Sequence, residues 1–200
     1  MKLVIASNNN KKIAEMRRIL SLLDISVITP ADAGCAHLSP EETGSTFSEN
    51  AQIKAAEFCR YTDLPSIADD SGLCVDALGG EPGVYSARYS GEEGAGADEA
   101  NIDKLLQSLE GVPKERRTAR FVSAICCVFP NGDTVTAEGV CEGYIGFMRE
   151  GNGGFGYDPV FMVESGKSFA LLSDAEKDSV SHRGKALRLF SDKIAQYLKK

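Results

Sequence analysis

The sequence predicts an α/β protein with helices flanking a mixed sheet, and three patterns carry that expectation. The apolar run Lys2–Ala6 is followed by the polar tract Ser7–Asn10. Ile13, Met16, Ile19, Leu20 and Leu23 then recur at helical spacing, which reads as strand, turn and amphipathic helix. Two strand-like runs, 118–129 and 133–147, flank Pro130-Asn131-Gly132-Asp133. Asn-Gly between such runs is a hairpin signal, because both residues tolerate the positive φ of a tight turn. Near the end, Leu187, Phe190, Ile194 and Tyr197/Leu198 mark a helix over Arg183–Leu198.

Between these landmarks the order is legible in pieces. Ile25–Ile28 reads as a second strand, and residues 30–45, rich in Pro, Gly, Ala and acid, as loop. Thr46 with Glu49 forms a capping box for a helix whose apolar face is Phe47, Ala51, Ala55 and Phe58 and which Pro65 ends. Ser66–Ala68 begins a strand expected to end at an acidic turn, Asp69-Asp70. Gly79–Gly96, with six glycines and Pro82, reads as loop, and Ala97–Leu109 as a helix with Ile102, Leu105, Leu106 and Leu109 on one side. Asn152–Asp158 is a second glycine-rich loop, ahead of the apolar run Val160–Val163. There is no repeat and no low-complexity linker, so one α/β domain is expected, pinched into two lobes with a cleft between them.

Composition narrows the function. No apolar run approaches the ~20 residues that span a bilayer, and the N-terminus lacks the apolar stretch of a secretory signal. A net charge of −7 argues against a broad nucleic-acid-binding face, while leaving room for a small basic pocket for one polyphosphate. Six cysteines, Cys35, Cys59, Cys74, Cys126, Cys127 and Cys141, include no C-x-x-C pair, and there are two histidines, so a structural zinc site is not expected. Cys126 and Cys127 would point to opposite faces of a strand. The pattern reads as a reduced, cytoplasmic protein without disulfides.

Four segments bear chemistry. Ser7-Asn8-Asn9-Asn10-Lys11-Lys12, between strand and helix, either caps the helix or holds phosphate on unpaired N–H groups; lysines in a first turn oppose the helix dipole and favour an anion there. Glu41-Glu42 and Asp69-Asp70 are acidic pairs, and Asp70 beside an apolar strand suits a hard divalent cation such as Mg²⁺. Gly153-Gly154-Phe155-Gly156-Tyr157-Asp158-Pro159 sets two aromatics and an acid among glycines, as base stacking would need. Lys177, Ser181, His182 and Arg183 form a basic cluster before the last helix.

Taken in order, Ser7–Lys12, Thr46-Phe47-Ser48-Glu49-Asn50-Ala51, Ala68-Asp69-Asp70-Ser71-Gly72-Leu73, the long run Gly79–Gly91, Gly153–Pro159 and Ser181-His182-Arg183-Gly184 resemble the inosine triphosphate pyrophosphatase family. The likeness is closest to its bacterial branch acting on dITP, ITP and XTP, and it spans essentially the whole chain. The resemblance implies an elongated two-lobed fold around a long mixed sheet, a homodimer, Mg²⁺ dependence, and cleavage of a purine nucleoside triphosphate to monophosphate and pyrophosphate. By matched position, Ser7, Asn8, Asn9, Asn10, Lys11 and Lys12 hold the triphosphate, and Ser71 touches substrate. Asp70 binds Mg²⁺ and accepts the proton of water. Glu41 is the second acidic ligand, with Glu42 as its alternative. Phe155, Gly156, Tyr157, Asp158, Lys177, His182 and Arg183 surround base and sugar. Lys11 departs from the glycine common in bacterial relatives.

Two other readings compete. A second pyrophosphatase family of similar architecture acts on dTTP or UTP, but Gly153–Pro159 and His182-Arg183 speak against it. A non-catalytic nucleotide sensor would lose the metal acid, and Asp70 is present. An ordinary aspartate, pKa about 3.9, is a weak base for water, so metal activation should carry much of the chemistry, with Asp70 mainly positioning the nucleophile.

Overall fold

The computed structural model describes residues 2–92 and 94–199; Met1, Lys200 and Glu93, the last within the glycine-rich stretch, lie outside it. Six strands form one sheet: β1 (Lys2–Ile5), β2 (Ser26–Ile28), β3 (Ser66–Val75), β4 (Thr118–Val128), β5 (Thr134–Ile145) and β6 (Phe161–Met162), in the spatial order β2-β1-β3-β4-β5-β6. β1 pairs in parallel with β2 and with β3, and β5 pairs antiparallel with β6, so the sheet is mixed as expected. The helices are α1 (Asn10–Leu22), α2 (Phe47–Thr62), α3 (Ala97–Ser108), α4 (Asp174–Val180) and α5 (His182–Tyr197). No helix among the described residues is long and apolar enough to cross a membrane.

The chain divides into two compact units. The first takes the described residues up to Asp70, Ser123–Gly139, and those from His182 onward; the second takes Ser71–Val122 and Val140–Ser181. In the first unit the strands are buried on both faces. Leu3, Ile5, Ile67, Ile125 and Cys127 pack with Met16, Ile19 and Leu20 of α1 and with Leu187, Phe190 and Ile194 of α5. Val4, Ala6, Ala68, Ala124 and Cys126 pack with Ala51, Ala55, Phe58 and Cys59 of α2. The strand period of two sorts adjacent residues into separate layers, and Cys126 and Cys127 part as the sequence predicts. α5 begins directly on β5. A Cβ at Gly139 would stand 2.2 Å from the His182 carbonyl oxygen, so only glycine allows that approach.

The second unit has its own core. Ile102, Leu105 and Leu109 from α3 and its cap pack on Leu73, Val75, Phe121, Cys141, Ile145, Tyr157, Phe161 and Phe169. Phe121 meets Phe161 edge-on at 4.7 Å between ring centroids.

Local signals act largely as read. Thr46 and Glu49 close both halves of the capping box, and the β4–β5 turn is held by Phe129 N–H to the Asp133 carbonyl at 3.0 Å. Three segments differ from expectation. β3 does not turn at Asp69-Asp70 but continues to Val75, because cations on either side satisfy both carboxylates within the strand. The glycine-rich stretch is not all loop, since Gly83–Arg88 winds into a 3-10 helix. Lys177 lies within α4, which Ser173 and Glu176 start with a second capping box.

Candidate functional site

Asp69 and Asp70 are the chemical centre of the first unit. Asp69 is 1% exposed, and its carboxylate accepts from Ser123 Oγ at 2.5 Å and from Arg183 Nη2 at 3.0 Å, with Lys12 Nζ at 3.1 Å. Arg183 also pairs with Glu15 of α1. Burial drives the Asp69 pKa up, but the charges of Arg183 and Lys12 and the hydrogen bonds of Arg183 and Ser123 outweigh it and hold it well below the usual carboxylate range. Asp69 is therefore a fixed anion, aiming Lys12 from the first turn of α1.

Asp70, on the α2 side, has a different environment. Its Oδ1 lies 2.8 Å from Lys54 Nζ, and that ammonium also reaches Glu42 at 2.7 Å and the Asp69 carbonyl at 3.1 Å. Burial raises the Asp70 pKa, and the nearby Glu42 charge adds to the rise; Lys54 and Lys12 offset it only in part. The loop that carries Glu42 is tied down where Asn50 accepts the Gly44 N–H at 2.8 Å. Among the described residues no cluster of three His, Cys, Asp or Glu side chains could cage a metal alone. Two carboxylates and a carbonyl around an ammonium nevertheless form the donor set a hard cation takes when water and phosphate complete its shell. Glu42 and Asp70 fit Mg²⁺.

The acidic residue that shares a cation with Asp70 is Glu42; Glu41 is exposed. Asn9 serves as the N-cap of α1, its Oδ1 accepting from the Lys11 and Lys12 N–H groups at 3.0 and 3.1 Å. Ser7 accepts from the Asn9 N–H, and Asn8 donates to the Leu38 carbonyl. Asn10 and Lys11 are exposed. His182 and Arg183, expected beside a base, are 4% and 1% exposed within the first unit, with Arg183 engaged by Asp69 and Glu15.

In the second unit Ser71 is half-buried. There Phe155, Asp158 and Lys177 come together. Lys177 Nζ lies 2.7 Å from Asp158 and 4.9 Å from the centre of the Phe155 ring. Asp158 also accepts the Phe155 N–H at 2.8 Å and is 3% exposed. Gly154, at φ +75°, admits no Cβ, which would stand 1.9 Å from Asp158 Oδ2. Tyr157 is likewise turned inward, 4% exposed, its hydroxyl donating to the Ser86 carbonyl at 2.8 Å. The Gly156 N–H goes to Asp98. Phe155 is half-buried.

Lys54, Glu15 and Ser123 were not legible as site residues. Lys12 and Glu15, three apart on one helix, share a face and could have been paired; Lys54 and Ser123 reach the site only through tertiary packing.

A mixed α/β protein in which strand carboxylates face lysines at a helix start and on a second helix is of the class that handles phosphate with a cation. The family model described as Ham1 family matches residues 3–193, and the chain belongs to that family. It is 47% identical over 198 residues to the dITP/XTP pyrophosphatase of Bacillus cereus, covering 97% of this chain and 95% of that one. To the protein of the same name from Haemophilus influenzae it is 48% identical over 198 residues, covering 96% and 98%. The Staphylococcus aureus Ham1 protein superposes with a TM-score of 0.85 at 41% identity, over 98% of this chain and 100% of that one. A nucleoside-triphosphatase, dITP/XTP pyrophosphatase, from Mycobacterium abscessus superposes with a TM-score of 0.75 at 46% identity, over 94% and 98%.

Proposed function

We propose that this protein hydrolyses non-standard purine nucleoside triphosphates, dITP, ITP and XTP, to the monophosphate and pyrophosphate. The observation that carries the reading is the Lys54 ammonium held by Asp70, Glu42 and the Asp69 carbonyl, a donor set suited to a cation. The names of the relatives point to the same activity.

The phosphate chemistry falls to Lys12, Lys54, Glu42 and Asp70. Lys12, aimed by Asp69, neutralises charge on the phosphate oxygens, and Lys54, released from the carboxylates as the nucleotide arrives, does the same from α2. Glu42 and Asp70 would hold Mg²⁺, which when bound supplies further charge neutralisation. Asp70 orients the attacking water and takes its proton. The base contacts fall to Phe155 and Lys177: Phe155 stacks on the purine, and Lys177, a donor only, meets the 6-keto oxygen that inosine and xanthine carry.

A homodimer in the cytoplasm belongs to the same reading. The homodimer is supported by the family resemblance, and the reducing compartment by six free cysteines. Incubation with ITP, XTP, ATP and dTTP plus Mg²⁺, with pyrophosphate and orthophosphate assayed separately, tests the activity. Pyrophosphate from ITP and XTP, and little from ATP or dTTP, is expected. Orthophosphate as the first product, or preference for dTTP, would overturn the reading.

A further inference from the structure

The stretch Gly79–Gly91, so distinctive in the sequence, has no part in the chemistry above, and neither does α3. Within the second unit both converge on the loop Gly153–Asp158. The Tyr157 hydroxyl donates to the Ser86 carbonyl; Ser86 Oγ in turn donates to the Gly83 carbonyl at 2.6 Å and accepts the Leu73 N–H at 2.9 Å. Asn101 of α3 ties down the same stretch, donating to the Ala87 carbonyl at 3.2 Å and accepting the Ser90 N–H at 2.6 Å. Asp98, in the first turn of α3, accepts the Gly156 N–H at 3.0 Å. The preceding amide, Phe155 N–H, ends on Asp158. Two consecutive amides of the loop thus each terminate on a carboxylate, one from α3 and one from the loop itself.

We propose that Asp98 is a positioning residue for base recognition: through the Gly156 amide it holds the loop so that the Phe155 ring stays beside the Lys177 ammonium before a nucleotide arrives. The inference rests on the function proposed above and deepens it. Gly153, Gly154 and Gly156 give this segment more conformational freedom than any other residue type would, and freedom lost on binding weakens binding. A loop pinned in advance has already lost it. Asp98 itself is exposed, at the start of a helix, and Phe155 is the side chain through which it acts. The effect therefore falls on substrate affinity and not on the chemical step.

Asp98→Ala and Asp98→Asn, assayed beside the unmodified protein, test this. Asp98→Ala is expected to raise KM for ITP about fivefold, the worth of one hydrogen bond, with kcat within about twofold. Asp98→Asn, whose amide oxygen still accepts the Gly156 N–H, should stay within about twofold in both. Without nucleotide, hydrogen exchange over 153–158 should quicken in Asp98→Ala while exchange over α5 is unchanged. Unchanged loop exchange, an unchanged KM, or an Asn variant as impaired as the Ala variant would each overturn the proposal. If the unmodified protein fails to hydrolyse ITP, the proposed function falls, and with it the part of Asp98 in base recognition; the exchange measurement, which needs no nucleotide, still decides whether Asp98 pins the loop.

Discussion

Asp69 and Asp70 follow one another on β3 and give their carboxylates to opposite helix layers, Asp69 to Lys12 of α1 and Arg183 of α5, Asp70 to Lys54 of α2. Strand geometry makes this unavoidable, since successive side chains point to opposite faces. It divides the work of an acidic pair. One aspartate is locked as an anion that organises cations, and the other is left more basic and closer to solvent.

Asp70→Asn should lower kcat for ITP by at least ~100-fold while KM stays within about tenfold, the pattern for loss of a positioned acid–base group. Steady-state kinetics at saturating Mg²⁺ measure both. A variant with half the original kcat would remove Asp70 from the mechanism.

Asp69→Asn should act on stability, with a definite pH signature. Arg183 and Lys12 depress the folded-state pKa of Asp69 despite its burial, so as pH falls the unfolded chain takes up the proton first. The contribution is present in full above the unfolded value of about 3.8 and is lost as pH falls through the lower folded value. Breaking the buried pair should cost ~3–5 kcal/mol at pH 7. Denaturant unfolding at pH 7, 5 and 3.5 should show the same gap from the unmodified protein at the first two values and a smaller one at the third. A gap already closing between pH 7 and 5 would contradict the assignment.

Much of this layout was legible, because it rests on local signals. Thr46 and Glu49 announce α2, Asn131-Gly132 announces the β4–β5 turn, and the apolar periods of α1 and α5 mark the faces that bury Met16 and Phe190. What resisted reading depends on partners distant in sequence. Two adjacent aspartates look like a turn until Lys12, Lys54 and Arg183 arrive to neutralise them within a strand. Glu41 and Glu42 are equivalent in sequence, and only the Lys54 ammonium distinguishes them. Tyr157 looked like a stacking face until Ser86 took its hydroxyl. The capping box of α4 was in plain view at Ser173 and Glu176 and would have placed Lys177 on a helix.

All six cysteines are free, with Cys74 half-buried and the other five buried. Burial pushes the Cys126 thiol up to about 11 and Cys127 higher still, so neither is a thiolate at neutral pH. An Ellman titration of the native protein should show at most one fast-reacting thiol, and six after denaturation. Fewer than six under denaturing, non-reducing conditions would mean that a disulfide forms.

Base choice should divide between Lys177 and Phe155. Lys177 has donors only, so it donates to a 6-keto oxygen and sets donor against donor with the amino group of adenine, at ~1–3 kcal/mol. Lys177→Met should narrow the ITP-over-ATP ratio of kcat/KM by ~10-fold or more. Phe155→Ala should weaken both substrates together, because stacking is indifferent to which purine is stacked. Taking each ratio within one variant cancels any loss of active protein. An unchanged ratio in Lys177→Met would exclude it as the reader of the keto group.

Arg183 offers the sharpest contrast between a sequence reading and the structure. Beside His182 and after Lys177 it looks like a third donor for the base. In the first unit it is instead 1% exposed, with one arm on Glu15 and another on Asp69. Desolvation alone would lower its pKa, but the two carboxylates raise it further, and the three groups form one buried charge network joining α1, β3 and α5. Arg183→Ala would remove the guanidinium that two buried carboxylates share, a loss of ~3–5 kcal/mol in unfolding free energy. Asp69 would also aim Lys12 less well, so turnover of ITP and ATP should fall together, with their ratio within about twofold. Arg183→Lys keeps the charge but cannot span both carboxylates with a planar fork, and it should recover only part of the stability. Thermal unfolding and the two-substrate ratio, measured on the same preparations, settle the point. If Arg183→Ala kept its melting temperature and equalised ITP and ATP, the guanidinium would be reading the base after all, and the network with Glu15 and Asp69 would be only its resting place.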